Sequence, residues 1–240
     1  MIEQEMGNVS VRCVGSKTGF SESRILHPAS CRVKICGITR VEDMLDAAMS
    51  GADAIGLVFY EKSPRNVSIA QAVRLLTHLP PFVTVVGLFV NATAQRVREV
   101  QNSVSLDVLQ FHGDESPQFC EQFQSHYLKA IRVKPGVDLL QCAADFSSAQ
   151  GLLLDAHVEG IPGGTGAVFD WTLIPPQFPL PLILSGGLHA ENVAEGIRLV
   201  RPWAVDVSSG VELSKGIKDA AKVSRFMQEV RQIDYKRVNE

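Results

Sequence analysis

The sequence predicts an α/β chain folded as a (β/α)8 TIM barrel of parallel strands, and three observations carry that expectation. From residue 32 onward, short apolar runs alternate with longer amphipathic ones. The alternation repeats eight times in about 200 residues, and barrels of this kind run to about 250 residues as one domain. Cysteine, aspartate, histidine and glycine clusters recur where the apolar runs end, and a barrel gathers all such strand ends on one face. A doubly wound parallel sheet is the alternative, because alternation alone does not close a barrel.

Bulk composition narrows the function classes. The chain has 240 residues, 45% hydrophobic and 20% charged, enough for one domain with a sizeable core. Lys plus Arg is 23 against Asp plus Glu 26, a net charge of -3. That balance offers no broad basic field for nucleic acid. The five cysteines, Cys13, Cys31, Cys36, Cys120 and Cys142, are odd in number and widely spaced. They form neither a zinc pattern nor a disulfide framework, so free thiols in a reducing cytoplasm are expected. No apolar run approaches the ~18 residues of a membrane span. Residues 1–31 are polar, with scattered glycines and no sustained period. They read as a disordered or loosely attached N-terminal extension ahead of a barrel domain at 32–235.

Strand 1 (32–36) ends in Cys36, with Lys34 on the same face by alternation. A nearby ammonium lowers a thiol pKa; on position alone, an inert core cysteine is the commoner reading. Thr39-x-x-Glu42 reads as a capping box opening a helix that carries Val41, Met44, Leu45 and Ala48. Strand 2 (53–59) leads to Lys62-Ser63-Pro64-Arg65, where a guanidinium could grip a carboxylate or simply be solvated. Ser68-x-x-Gln71 caps the next helix, with Ile69, Ala72, Val73 and Leu76 on one face. Strand 3 covers 82–90. Strand 4 (106–111) places Gln110 and His112 on one face at its end, for chemistry or for a loop hydrogen bond. Strand 5 (127–133) precedes a weaker helix at 136–144.

Strand 6 (151–155) ends in Asp155. A carboxylate closing an apolar run must be partnered or open to solvent. Partial desolvation would raise its pKa toward proton-donor use; a turn or cap aspartate is the plainer reading. A glycine cluster, Gly163-Gly164-Thr165-Gly166, follows, then a weak helix at 169–175. Strands 7 (181–185) and 8 (203–208) lead to Ser185-Gly186-Gly187 and Ser208-Ser209-Gly210. These loops are where barrels of this type often hold phosphate, since glycine lets backbone N–H groups approach an anion. A last helix carries Val223, Phe226, Met227 and Val230.

The motifs, kept in order from Val33 to about Asp219, resemble the phosphoribosylanthranilate isomerase family of tryptophan biosynthesis. They are VKICGITR (33–40), GADAIGLVFY (51–60), KSPR (62–65), LDVLQFHGDESP (106–117), LLLDA (152–156), GGTG (163–166), LSGGL (184–188) and RPWAVDVSSGVE (201–212). The resemblance implies an Amadori rearrangement of N-(5-phosphoribosyl)anthranilate, with no metal and no cofactor. It implies Cys36 as general base and Asp155 as general acid. Arg65 would hold the anthranilate carboxylate, with His112 nearby. Gly164, Gly186, Gly187, Ser209 and Gly210 would hold the phosphate, and Asp206 would contact the sugar. An acid and a base with reference pKa values near 3.9 and 8.5 are both in the wrong state at neutral pH, so the site is expected to raise one and lower the other. The expected partner is a small phosphorylated substrate, with no nucleic acid and no membrane, and either a monomer or a homodimer fits. Ala167 and His189 depart from the common pattern, which has lysine after GGTG and asparagine after GGL. Two rivals remain. Another phosphate-binding barrel isomerase or epimerase would need a lysine or metal-ligand set at its strand ends. A catalytically silent binding barrel would have lost the thiol, the acid or the clamp.

Overall fold

The computed structural model describes residues 30–156 and 169–238, with side chains to Ile233. The expectations for residues 1–29 and for the Gly163–Ala167 cluster lie outside the described residues. Eight parallel strands close into a barrel in chain order. They are β1 (Arg32–Cys36), β2 (Ala54–Val58), β3 (Thr84–Phe89), β4 (Val108–Phe111), β5 (Tyr127–Val133), β6 (Gly151–Ala156), β7 (Leu182–Leu184) and β8 (Ala204–Val207). The doubly wound alternative fails on the β1–β8 pairing, which sets Lys34 beside Asp206 and Ile35 beside Val207. On the other edge of β1, Cys36 pairs with Gly56.

The helices are α1 (Val41–Met49), α2 (Ile69–Leu76), α3 (Ala94–Ser103), α4 (Pro117–Glu121), α5 (Leu139–Asp145), α6 (Val193–Val200) and α7 (Ala220–Val238). They bury one stripe each against the outer face of the strands. Phe89, Phe111, Phe226, Met44 and Ile55 are among the fully buried side chains there. The inner face is separate. Ala130, Leu153, Ile183 and Ala204 fill one layer. Cys36, Val58, Leu88 and Val90 form another, packed with Tyr60.

Three local expectations change. The Thr39 capping box does not form. Arg40 occupies the N-cap position without a side-chain cap bond, because the Thr39 hydroxyl donates to the Gly216 carbonyl instead. At α2 half of the expected box forms: Ser68 Oγ accepts from Gln71 N–H at 3.1 Å, while the Gln71 amide donates to the Thr39 carbonyl at 2.8 Å. The helix expected at 169–175 shrinks to one 3-10 turn, Trp171–Leu173. Pro175 and Pro176 follow directly, and the residue before a proline is driven out of helical geometry. A feature not anticipated lies after β8. A 3-10 turn (Ser209–Val211) leads into an antiparallel hairpin, β9 (Glu212–Ser214) with β10 (Ile217–Lys218), before α7 begins.

Candidate active site

One pocket opens at the strand C-termini. Its lining includes Cys36 from β1, Arg65 from the loop after β2, His112 from the end of β4 and Asp155 from β6. Ser185, Gly186 and Gly187 follow β7; Asp206, Ser208 and Ser209 close the ring from β8. Residues scattered over most of the chain thus meet because every strand runs the same way.

Cys36 is 5% exposed at the end of β1. Beneath it, Lys34 donates to Asp206 at 2.9 Å in an ion pair buried on both sides. The thiol departs from expectation here. Burial pushes the Cys36 thiol above its ordinary value; Lys34 pulls it down, but nearby Asp206 pushes it up again. The cation is present as the sequence suggested, yet its charge is shared with Asp206, and desolvation of the thiolate wins. Lys34 itself resists the penalty of burial through Asp206 and Cys36, which together hold its ammonium above the ordinary range.

Asp155 is 4% exposed. Its Oδ1 accepts from the N–H of Ala156 at 2.9 Å. Its Oδ2 lies 2.9 Å from Nε2 of His112. On the other side of that imidazole, Gln110 Nε2 lies 2.9 Å from Nδ1. With the Gln110 amide donating, the ring carries its proton on Nε2 and donates to Asp155. The histidine therefore stands behind the carboxylate as well as at the pocket wall, where the resemblance placed it beside the substrate carboxylate only.

Arg65 is 8% exposed, and two of its nitrogens are already engaged. Nε donates to Glu212 Oε1 at 2.7 Å and Nη2 to Glu212 Oε2 at 2.8 Å. Glu212 also accepts from Lys218 Nζ at 3.0 Å. Burial opposes ionisation of Glu212, but the Arg65 hydrogen bond and the Lys218 charge outweigh it and hold the carboxyl below the usual glutamate range. Glu212 and Lys218 escaped the sequence reading. The sequence carried no signal for them, because the need of a carboxylate partner follows from the burial of Arg65, which only the fold shows.

Among the glycines, Gly186 and Gly187 line the pocket with positive φ values of 82° and 64°. A Cβ on Gly186 would sit 2.5 Å from the Ala156 nitrogen and 2.9 Å from Asp155 Oδ1, so this loop passes close over the acid only because it lacks a side chain. Ser209 lines the pocket beside them. Gly210 does not. Its Cα packs against the β7 loop, where a Cβ would come within 1.9 Å of the Leu188 carbonyl oxygen. His189 makes no helix cap: its N–H donates to Asn192 Oδ1 at 2.9 Å and its ring meets Glu191 at 2.8 Å. Among the described residues, no cluster of His, Cys, Asp and Glu could hold a metal ion, and no helix is long and apolar enough to cross a membrane.

The family model described as N-(5'phosphoribosyl)anthranilate (PRA) isomerase matches residues 33–229. An N-(5'-phosphoribosyl)anthranilate isomerase of Thiobacillus denitrificans is 60% identical over 200 residues, covering 83% of this chain and 98% of that protein. A protein of the same name from Pseudomonas paraeruginosa is also 60% identical over 200 residues, with 83% and 95% covered. The crystal structure of phosphoribosyl anthranilate isomerase from Thermotoga maritima superposes with a TM-score of 0.78 at 41% identity, covering 84% of this chain and 99% of that one. A phosphoribosyl anthranilate isomerase in complex with reduced 1-(o-carboxyphenylamino)-1-deoxyribulose 5-phosphate matches with a TM-score of 0.75 at 41% identity and the same coverage.

Proposed function

The chain belongs to the N-(5'-phosphoribosyl)anthranilate isomerase family, and on that premise we propose that it converts N-(5-phosphoribosyl)anthranilate to 1-(2-carboxyphenylamino)-1-deoxyribulose 5-phosphate with Cys36 as base and Asp155 as acid. This is the aldose-to-ketose step of tryptophan biosynthesis. The observation that carries the assignment of roles is the single pocket in which Cys36, Asp155, Arg65 and the Gly186–Gly187 loop meet.

The reaction needs two proton transfers on the sugar. Asp155 gives a proton to the furanose ring oxygen; the C1–O bond breaks and the nitrogen lone pair closes a C1=N bond. The C2–H is now acidified. Burial holds the Cys36 thiol up, so it first gives its proton to solvent; the resulting thiolate, beside the Lys34 ammonium, removes the C2 proton, and the electrons shift to form an enolamine. Protonation at C1 and loss of the proton on O2 give the ketone. The transfers are separated in space because the acid ends β6 and the base ends β1, on different sides of the pocket.

Binding energy comes from the substrate's two ends. Arg65 has one nitrogen, Nη1, uncommitted among the described residues, and this edge takes the anthranilate carboxylate. Gly186, Gly187 and Ser209 take the phosphate, with Gly210 shaping their loop from behind. Gly164 completes that set, as the family resemblance implies. Asp206 contacts the sugar or orders Lys34; the 2.9 Å ion pair favours the second role. His112 aims the Asp155 carboxyl through their 2.9 Å contact. The domain is residues 32–235, with 1–31 outside it; the family match beginning at residue 33 supports this. Either a monomer or a homodimer serves this mechanism, since the described site residues come from one chain. We place the enzyme in the cytoplasm on the strength of the thiols Cys36, Cys120 and Cys142, which a reducing compartment suits.

The test is turnover of freshly generated phosphoribosylanthranilate, followed as loss of anthranilate-type fluorescence. A folded sample without turnover defeats the assignment.

A further inference from the structure

We propose that Glu212 is a positioning residue for the isomerase reaction: it occupies the Nε–Nη2 edge of Arg65 and thereby turns the Nη1 edge toward the substrate's aromatic carboxylate. The inference rests on the reading of Arg65 as the carboxylate clamp, and extends it to a residue that does not line the pocket.

Three observations support it. The two bonds from Arg65 to Glu212, at 2.7 and 2.8 Å, are parallel and side-on. They fix the plane of the guanidinium and leave Nη1 as its remaining edge. Second, Glu212 is itself held. Lys218 Nζ reaches it at 3.0 Å and the Gly216 N–H at 3.3 Å, both from the β9–β10 hairpin. That hairpin is tied to α1, where Asp43 accepts from the Lys218 N–H at 3.0 Å. Third, the chain clears a path for the arginine. Gly37 has a φ of 78°, and a Cβ there would lie 2.5 Å from Arg65 Cδ.

Charge points the same way. Arg65, Lys218 and Glu212 are all buried, and two cations with one anion leave one surplus positive charge. Burying three charges for stability alone is poor design, since apolar residues of similar volume do as well or better. A surplus of one is the complement of one carboxylate.

The experiment measures binding of the reduced product analogue, reduced 1-(o-carboxyphenylamino)-1-deoxyribulose 5-phosphate, and of its counterpart lacking the carboxyl group. Wild type, Glu212→Gln, Arg65→Ala and the double variant are compared, each with a thermal melt. Misaiming the guanidinium is expected to weaken the carboxylated analogue about ten- to a hundredfold in Glu212→Gln. Affinity for the decarboxylated analogue stays unchanged, and the double variant binds no worse than Arg65→Ala. Equal weakening of both analogues, or additive losses in the double variant, overturns the proposal and leaves Glu212 a support of the fold. If Arg65→Ala does not weaken the carboxylated analogue, the clamp reading itself fails, which is a separate result. Should Glu212→Gln not fold, Glu212→Asp keeps the charge but is too short to meet both nitrogens, and the same pattern is expected of it.

Discussion

The Cys36 thiol and the Asp155 carboxyl sit in one pocket with opposite partners, and each partner sets an expectation. Cys36→Ser and Asp155→Asn should each lower kcat by about 10²–10⁴-fold, the usual worth of a positioned acid or base. Substrate affinity and melting temperature should barely change; either variant turning over near the wild-type rate removes that residue from the chemistry. The thiol gives a second prediction. Burial holds Cys36 above the ordinary thiol range despite Lys34, so the empty enzyme keeps it protonated at neutral pH. Thiolate absorbance that is present in wild type and missing in Cys36→Ser should therefore grow in only at alkaline pH, beyond the ordinary thiol range. A thiolate signal already complete at neutral pH would show that Lys34 dominates after all. His112 supplies a third. If it serves Asp155 through the 2.9 Å contact, His112→Gln should lower kcat about tenfold, less than Asp155→Asn, with KM little altered. A rise in KM alone would return it to the substrate carboxylate. Cys36 and Asp155 were legible in the sequence because each ends an apolar run. The protonation of Cys36 was not, because Lys34 reads as a cation beside the thiol until Asp206, 2.9 Å from it across the β1–β8 seam, takes up its charge.

At the level of elements, strands and long helices followed from periodicity, and what failed was local chemistry diverted by distant contacts. Thr39 has the sequence of a capping residue, but Gly216 claims its hydroxyl. The β9–β10 hairpin has strands of three and two residues, too short to leave a periodic trace. Yet it carries Glu212 and Lys218, whose ion pairs tie the last part of the chain to the loop after β2. Acid should loosen this element. Glu212 has a folded pKa held below its ordinary 4.5. A carboxyl with a depressed folded pKa contributes stability that is complete above the ordinary value and disappears as pH falls through the folded one. The difference in melting temperature between wild type and Glu212→Gln should thus be largest at neutral pH and shrink below about pH 4.5. A gap that stayed constant down to strongly acid pH would mean that the carboxylate charge contributes nothing there.

The barrel as a whole divides labour between its two faces. The pocket is built from side chains on the inner face and on the loops above it, while most of the apolar core lies outside, between strands and helices. This division was readable in outline, since alternation along each strand sends neighbouring residues to opposite faces; the closure that brings β8 onto β1 was not, because pairing between the first and last strands leaves no local signal. Phe89 lies on the outer side. It is fully buried, stacks on Phe59 at a centroid distance of 5.5 Å and meets Phe111 at 6.3 Å. Its neighbour in the chain, Leu88, faces the pocket. Removing the Phe89 ring leaves a large cavity in the sleeve and nothing changed at the site. Phe89→Ala should destabilise by about 3–5 kcal/mol, and at about 2–4 °C per kcal/mol for a domain of this size the melting temperature should fall by roughly 6–20 °C. Well below the transition, kcat and KM should stay near the wild-type values. Cys36→Ser should give the reverse pattern, a lost rate on an intact melt. Calorimetry and steady-state kinetics on the two variants decide the matter: if Phe89→Ala slowed the reaction with the melt unmoved, the outer core would have to be counted as part of the catalytic apparatus, and the separation of faces argued from the strand alternation would be wrong.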